Sequence, residues 1–152
     1  MKLKTVICED EEEEIIIKAK SRDDKIIFLE DIIKNAIGEN DTILLHNNQT
    51  QYFIPIKKIL FLESLDGKVA VHTAENIFYS NYKLYELLKI LPSYFERASK
   101  STIINTKAVY SVKKNIYSSS EISFNSCAKK AYLSRNYYKI FMDKINETRI
   151  KT

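Results

Sequence analysis

Three short polar segments of this chain carry side chains able to bind a polyanion. Ser99-Lys100-Ser101 stands between apolar runs, with Phe95 and Arg97 before it and Ile103, Ile104 and Asn105 after it. Serine hydroxyls and a lysine ammonium donate hydrogen bonds to phosphate oxygens and base edges. Flanking apolar residues would clamp such a segment to a rigid element; the alternative is a strand with a solvated lysine turn. Arg135 follows Ser134 in the first turn of a predicted C-terminal helix. A cation there opposes the helix dipole by roughly 0.3–1 kcal/mol, a conflict that a bound anion would remove. Pairing with an acidic side chain is the competing reading. Asp66-Gly67-Lys68 places a third lysine on a tight turn, and Lys113-Lys114 and Lys129-Lys130 add charge near loop ends. Each of these lysines taken alone reads as solubilising surface; their shared sign carries more weight.

Net charge sharpens that pattern. The 152 residues carry +4 overall, but residues 1–40 hold 7 Lys/Arg and 11 Asp/Glu, for −4. Residues 41–152 hold 17 and 9, for +8. An acidic extension joined to a basic, polyanion-seeking domain is the expected organisation, with the boundary near residue 40. Apolar content of 45% and charged content of 29% describe a globular chain. Cys8 and Cys127 have no zinc or C-x-x-C spacing, so reduced thiols and a cytoplasmic location are expected. The apolar run after Lys2 and Lys4 breaks at Glu9, which fits no signal peptide, and no apolar run is long enough to insert into a membrane.

The supporting elements follow from periodicity. Residues 2–8 and Glu14–Ala19 read as strands around an acidic run. Ser21–Ile37 reads as a helix, with Ser21 as cap, Ile26, Leu29, Ile33 and Ile37 on one face and Gly38 at its end. That face must pack on the rest of the chain or on a second copy. Thr42–His46 and Gln51–Ile54 form a predicted hairpin, followed by a helical turn at Pro55–Lys58. Ile59–Leu65 and Lys68–Thr73 flank Asp66-Gly67, a strong hairpin signal. A strand at Asn76–Ser80 and a helix at Tyr82–Leu91 precede the Tyr94–Asn105 segment. Strands at Ala108–Lys113, Ile116–Phe124 and Lys130–Leu133 lead into a last helix capped by Ser134, with Tyr137, Tyr138, Phe141 and Ile145 inward.

Catalytic signals are weak. His46 and His72 lack partners at ligand spacing, and no metal or cofactor motif occurs. Ser118-Ser119-Ser120 reads as a turn, and Glu63 with Asp66 is a poor acid/base pair. An enzyme, a metal site and a cofactor are therefore not expected.

The order of motifs resembles the LytTR DNA-binding domain family over residues from near 45 to near 145. The matching features are I-P-I-K-K-I-L-F-L-E at 54–63, D-G-K at 66–68 and L-Y-E-L-L-K-I-L-P at 84–92. F-E-R-A-S-K-S-T-I-I-N at 95–105 and A-Y-L-S-R-N-Y at 131–137 complete the set. One departure is that many members carry histidine where this chain has Ser99, so a histidine contact does not transfer. The resemblance implies a mostly β (α+β) fold of small antiparallel sheets with short helices. It implies binding to double-stranded promoter DNA through loops in successive major grooves, with Asp66–Lys68, Ser99–Lys100 and Ser134–Arg135 facing the duplex. Asn105 is expected to be structural. Stand-alone members without a receiver domain carry a strand–helix extension, which residues 1–40 would supply. V-I-C-E-D-E superficially resembles the start of a receiver, but about forty residues cannot form one. The expected protein is a bacterial transcriptional regulator, acting as a homodimer, with a regulatory partner protein as one route of control. The alternative is a protein-interaction module working through its acidic extension.

Overall fold

The computed structural model of this chain describes residues 4–6, 14–37, 42–125, 127–147 and 149. Helix α1 spans Asp24–Ala36. Its cap is Asp23 rather than Ser21: the Ile26 amide donates to Asp23 Oδ1 at 3.0 Å. A carboxylate one residue before the helix reaches the third helical amide, which Ser21 is too far upstream to do. The expected strand at Glu14–Ala19 is absent, and residues 4–6 carry none either. Apolar β-branched residues favour a strand only where an edge pairs with them; Ile15 and Ile16 are instead more than half exposed. Cys8, Gly38, Ser126 and the acidic run up to Glu13 lie outside the described residues.

A seven-stranded antiparallel sheet follows. It contains β1 (Thr42–Asn47), β2 (Thr50–Pro55), β3 (Phe61–Leu65), β4 (Lys68–His72), β5 (Ile77–Ser80), β6 (Phe95–Ser99) and β7 (Thr102–Asn105). Their order is β2-β1-β5-β4-β3-β7-β6. The turns carry the residues that a left-handed backbone needs: Asn48 has φ 55°, Asp66 has φ 50° and Gly67 has φ 77°. A 3-10 turn at Ile56–Lys58 links β2 to β3, as the Pro55–Lys58 segment predicts. Helix α2 (Leu84–Ile90) starts two residues later than its apolar period suggests. Tyr82 is used elsewhere: its ring lies 5.8 Å from that of Phe28, and its hydroxyl donates to Asp31 at 3.4 Å. Through Ile26, Phe28 and Asp31, α1 packs on the domain itself.

A second sheet, ordered β10-β9-β8, contains β8 (Val109–Lys113), β9 (Ser120–Phe124) and β10 (Lys130–Leu133). Strand β9 starts at Ser120, not Ile116, because residues 114–119 form a loop held by its own hydrogen bonds. Helix α3 (Tyr138–Glu147) closes the chain. The middle of the large sheet is therefore buried on two faces, while β2 at its edge is mostly exposed. Leu62, Val71 and Ile103 meet α2 in one core; Phe61 and Ile104 meet Ile122, Leu133 and Phe141 in the other. Adjacent Ile103 and Ile104 serve opposite cores, which explains an unbroken apolar pair in a period-two element. No helix among the described residues is long and apolar enough to cross a membrane.

Candidate nucleic-acid interface

Strand register decides which polar segments meet. In the β3–β7 pair Glu63 faces Thr102, so the C-terminal end of β3 lies beside the N-terminal end of β7. The turn joining β3 to β4 and the turn joining β6 to β7 therefore stand at the same end of the sheet. Between them the Ser64 amide donates to the Ser101 carbonyl at 2.9 Å. Asp66–Lys68 and Ser99–Ser101 are thus neighbours.

The second sheet adds the third segment. The Ser134 amide donates to the Ala98 carbonyl at 2.8 Å, which stitches the end of β10 to the base of the Ser99 turn. A register shift between Arg97 and Ser99 bends β6 at this point. Arg135 follows directly and is exposed. The expected capping bond of Ser134 is not made: its hydroxyl caps nothing, and Arg135–Tyr137 forms a 3-10 turn ahead of α3. A tighter turn leaves the Ser134 carbonyl to accept the Tyr137 amide at 3.2 Å. Arg135 consequently precedes the α-helix, and the dipole conflict expected of a first-turn cation is reduced.

Register also separates the lysine pairs. Lys113 faces Glu121, and Ser120 faces Leu133, so Lys113-Lys114 shares the end from which Arg135 emerges. Lys114 Nζ sits 4.9 Å from the centre of the Tyr138 ring, beside the start of α3. Lys130 faces Ser123, at the other end of β10. Lys129 Nζ donates to the Asn76 carbonyl at 2.9 Å, in the turn at the far end of β4 from Lys68. Lys130 Nζ lies 3.6 Å from the Glu121 carboxylate. Lys129-Lys130 therefore stands apart from the other segments, and both of its ammonium groups have partners.

Within the shared end the side chains divide into braces and free groups. Ser99 Oγ accepts the Ser101 amide at 3.2 Å and lies 3.4 Å from Ser101 Oγ. Arg97 donates through Nη1 to the Lys100 carbonyl at 2.8 Å. These bonds shape the turn on which Lys100 is carried. Lys68, Lys100, Lys113 and Arg135 are exposed, with no hydrogen bond or ion pair from their charged groups among the described residues. Asn105 is buried; its amide donates to the Ile59 carbonyl at 2.8 Å and accepts the Lys107 amide at 3.0 Å. Arg97 as a brace and Tyr138 as a platform were not predicted. The Arg97–Lys100 bond is local to the turn; the Lys114–Tyr138 contact is the one that only the fold brings together.

His72 is a packed side chain with a carboxylate partner. His72 Nε2 lies 2.9 Å from Glu63, and its ring stacks on Phe61 at 4.1 Å. Burial pushes the His72 pKa down, Glu63 opposes that shift, and Lys129 adds to it. Among the described residues, no group of three or more His, Cys, Asp or Glu is placed to hold a metal ion.

The sequence model of the LytTr DNA-binding domain matches residues 49–146. No curated protein matches this chain. Among solved structures, the chain is similar to a LytTr DNA-binding domain from Bacillus cereus, part of a protein described as a methyl-accepting/DNA response regulator. The two are 23% identical with a TM-score of 0.64, over 69% of this chain and 96% of the other. At that identity the likeness speaks to the fold, and the fold is the mostly antiparallel β arrangement with few short helices described above. With the matched span covering most of its length, this chain belongs to the LytTR DNA-binding domain family.

Proposed function

We propose that this chain is a bacterial transcriptional regulator that binds a specific promoter sequence through the loop end described above. The observation that carries the reading is the stitching of three segments, by the Ser64–Ser101 and Ser134–Ala98 backbone bonds, into one surface with free cations. Lys68, Lys100, Lys113 and Lys114 supply phosphate contacts, and Arg135 is the base reader, since its planar fork matches guanine O6 and N7. Asp66 serves the turn, whose positive φ it adopts; a carboxylate there disfavours a phosphate neighbour. Ser99 and Ser101 keep Lys100 in place. Lys129 and Lys130 take no part in this interface.

Loops so arranged reach successive major grooves of one duplex face, and a dimer on a repeated site supplies the remaining affinity. Ile15, Ile16 and Ile37, all more than half exposed, are the pairing surface in this reading. DNA selection with the purified protein, followed by titration of Arg135→Ala on the selected duplex, tests the proposal. A loss of about 1–3 kcal/mol in specific affinity is expected, with relaxed preference at one base pair. Unchanged binding by the folded variant would remove Arg135 from base reading.

A further inference from the structure

The two edges of the large sheet differ. Strand β6 is bulged between Arg97 and Ser99 and is stitched to the second sheet by the Ser134 amide. Strand β2, T-Q-Y-F-I-P, pairs only with β1 among the described residues, keeps an unbroken register along it and carries no charged side chain. Proteins blunt such an edge with a charge, a bulge or a covering loop, because its unpaired N–H and C=O groups recruit further strands. The hairpin fixes which groups are open. Asn48 and Gln49 form a two-residue connection, so Asn47–Thr50, Leu45–Tyr52 and Ile43–Ile54 are the hydrogen-bonded pairs. Gln51 and Phe53 therefore turn both backbone groups outward, and Pro55 turns out its carbonyl. Phe53 and its cross-strand neighbour Leu44, 71% and 50% exposed, cover the outer face. On the inner face the Tyr52 ring lies 5.0 Å from that of Phe78, and Ile54 borders the core. The open edge is thus apolar on both faces.

Residues 14–19, E-I-I-I-K-A, are the counterpart. Three consecutive β-branched residues are the pattern of a strand covered on both faces, yet no strand forms there. The segment borders α1 across a cleft shared with Ile33 and Ile37 and has no backbone ladder. The chain thus holds an open edge without a strand and a strand sequence without an edge. We infer that residues 14–19 of one copy add to β2 of a second copy as a further strand of its sheet, and that the exchange is reciprocal. This inference rests on the pairing role proposed above for Ile15 and Ile16 and gives those residues a receptor. Alternation puts Ile16 on one face of the added strand and Ile15 with Ile17 on the other. One side then meets Phe53 and Leu44, and the other meets Tyr52 and Ile54. The added segment and β2 are equally long, about 20 Å when extended. Bare apolar exposure would suit any partner, whereas outward backbone groups select an extended one. Twofold exchange satisfies both open elements at once and closes the assembly.

Amide hydrogen exchange over a concentration series, beside sedimentation equilibrium, tests this with the full chain. In the dimer the Gln51 and Phe53 amides should exchange about tenfold more slowly or less, and dilution to monomer should release them. Gln51→Pro withdraws one outward donor from β2 without touching the β1 ladder, and it should weaken association about tenfold. Phe53→Lys, which keeps every bond between β1 and β2, should do the same, so the result does not hang on the folding of one variant. Unaltered association of the folded variants overturns the inference. A wild-type dimer whose Gln51 and Phe53 amides exchange as freely as in the monomer also overturns it, while pairing through Ile15 and Ile16 stands. Protection that persists in the monomer overturns it too, because the segment would then lie on its own β2. A wild type that stays monomeric at every concentration would instead bring down the pairing reading, and the strand exchange with it.

Discussion

Replacing Asn105 with alanine separates support of the interface from contact with DNA. Asn105 is 2% exposed and ends β7, the strand that leads away from the Lys100 turn. Its amide holds the Ile59 carbonyl at 2.8 Å, and its oxygen holds the Lys107 amide at 3.0 Å. Alanine removes both partners at once. The Ile59 carbonyl sits in a fully buried residue, and stranding such a group costs about 1–3 kcal/mol. The lost cap on the 3-10 turn at Thr106–Ala108 adds about 1 kcal/mol. A loss of ~2–4 kcal/mol in a chain of this size lowers the melting temperature by roughly 5–15 °C. Thermal unfolding by circular dichroism measures that shift. Titration of the selected duplex, well below the variant's midpoint, should give unchanged affinity. A variant that melts like the wild type yet fails to bind DNA would refute the reasoning, because Asn105 would then be a contact.

Two further outcomes follow from the same geometry. Because burial depresses the His72 pKa, the unfolded chain takes up the proton first as pH falls. Stability should therefore be level above the ordinary histidine value of about 6.5 and decline as pH drops below it; His72→Phe, stacked on Phe61, should flatten that decline in melts at several pH values. Replacing Ile15, Ile16 and Ile37 with serine, which keeps α1 on the domain, should convert a dimer to a monomer in sedimentation equilibrium, and an unchanged mass would reject them as the pairing surface.

Much of the framework was legible because local chemistry and burial agree along it. Asp66-Gly67 demanded a hairpin and forms one; Pro55 marked the single turn after β2. The apolar stripes placed α2 and α3 within two or three residues of their true starts. Misreadings arose where a partner rather than a propensity decides. Glu14–Ala19 has strand residues but no strand beside it. Ser134 has a capping residue's identity, yet the chain takes a 3-10 turn there and its hydroxyl caps nothing. For the candidate site, spacing revealed the lysine pairs but not their sides. Lys113-Lys114 and Lys129-Lys130 look equivalent in one dimension. Only the pairing of Lys113 with Glu121 and of Lys130 with Ser123 sends them to opposite ends. The role of Arg97 depends on a bulged turn and that of Tyr138 on a contact between α3 and the β8–β9 loop, which no periodicity reports.

The central claim is that one end of the two sheets holds the duplex and the other does not. Neutralising each end in turn tests it most directly: Lys68→Gln/Lys100→Gln on one side, Lys129→Gln/Lys130→Gln on the other, each titrated against the selected duplex over a range of salt. Loss of two phosphate contacts should lower the salt slope by about 1.8 for the first pair and leave it unaltered for the second. An equal fall for both pairs, or a fall confined to Lys129 and Lys130, would contradict the account.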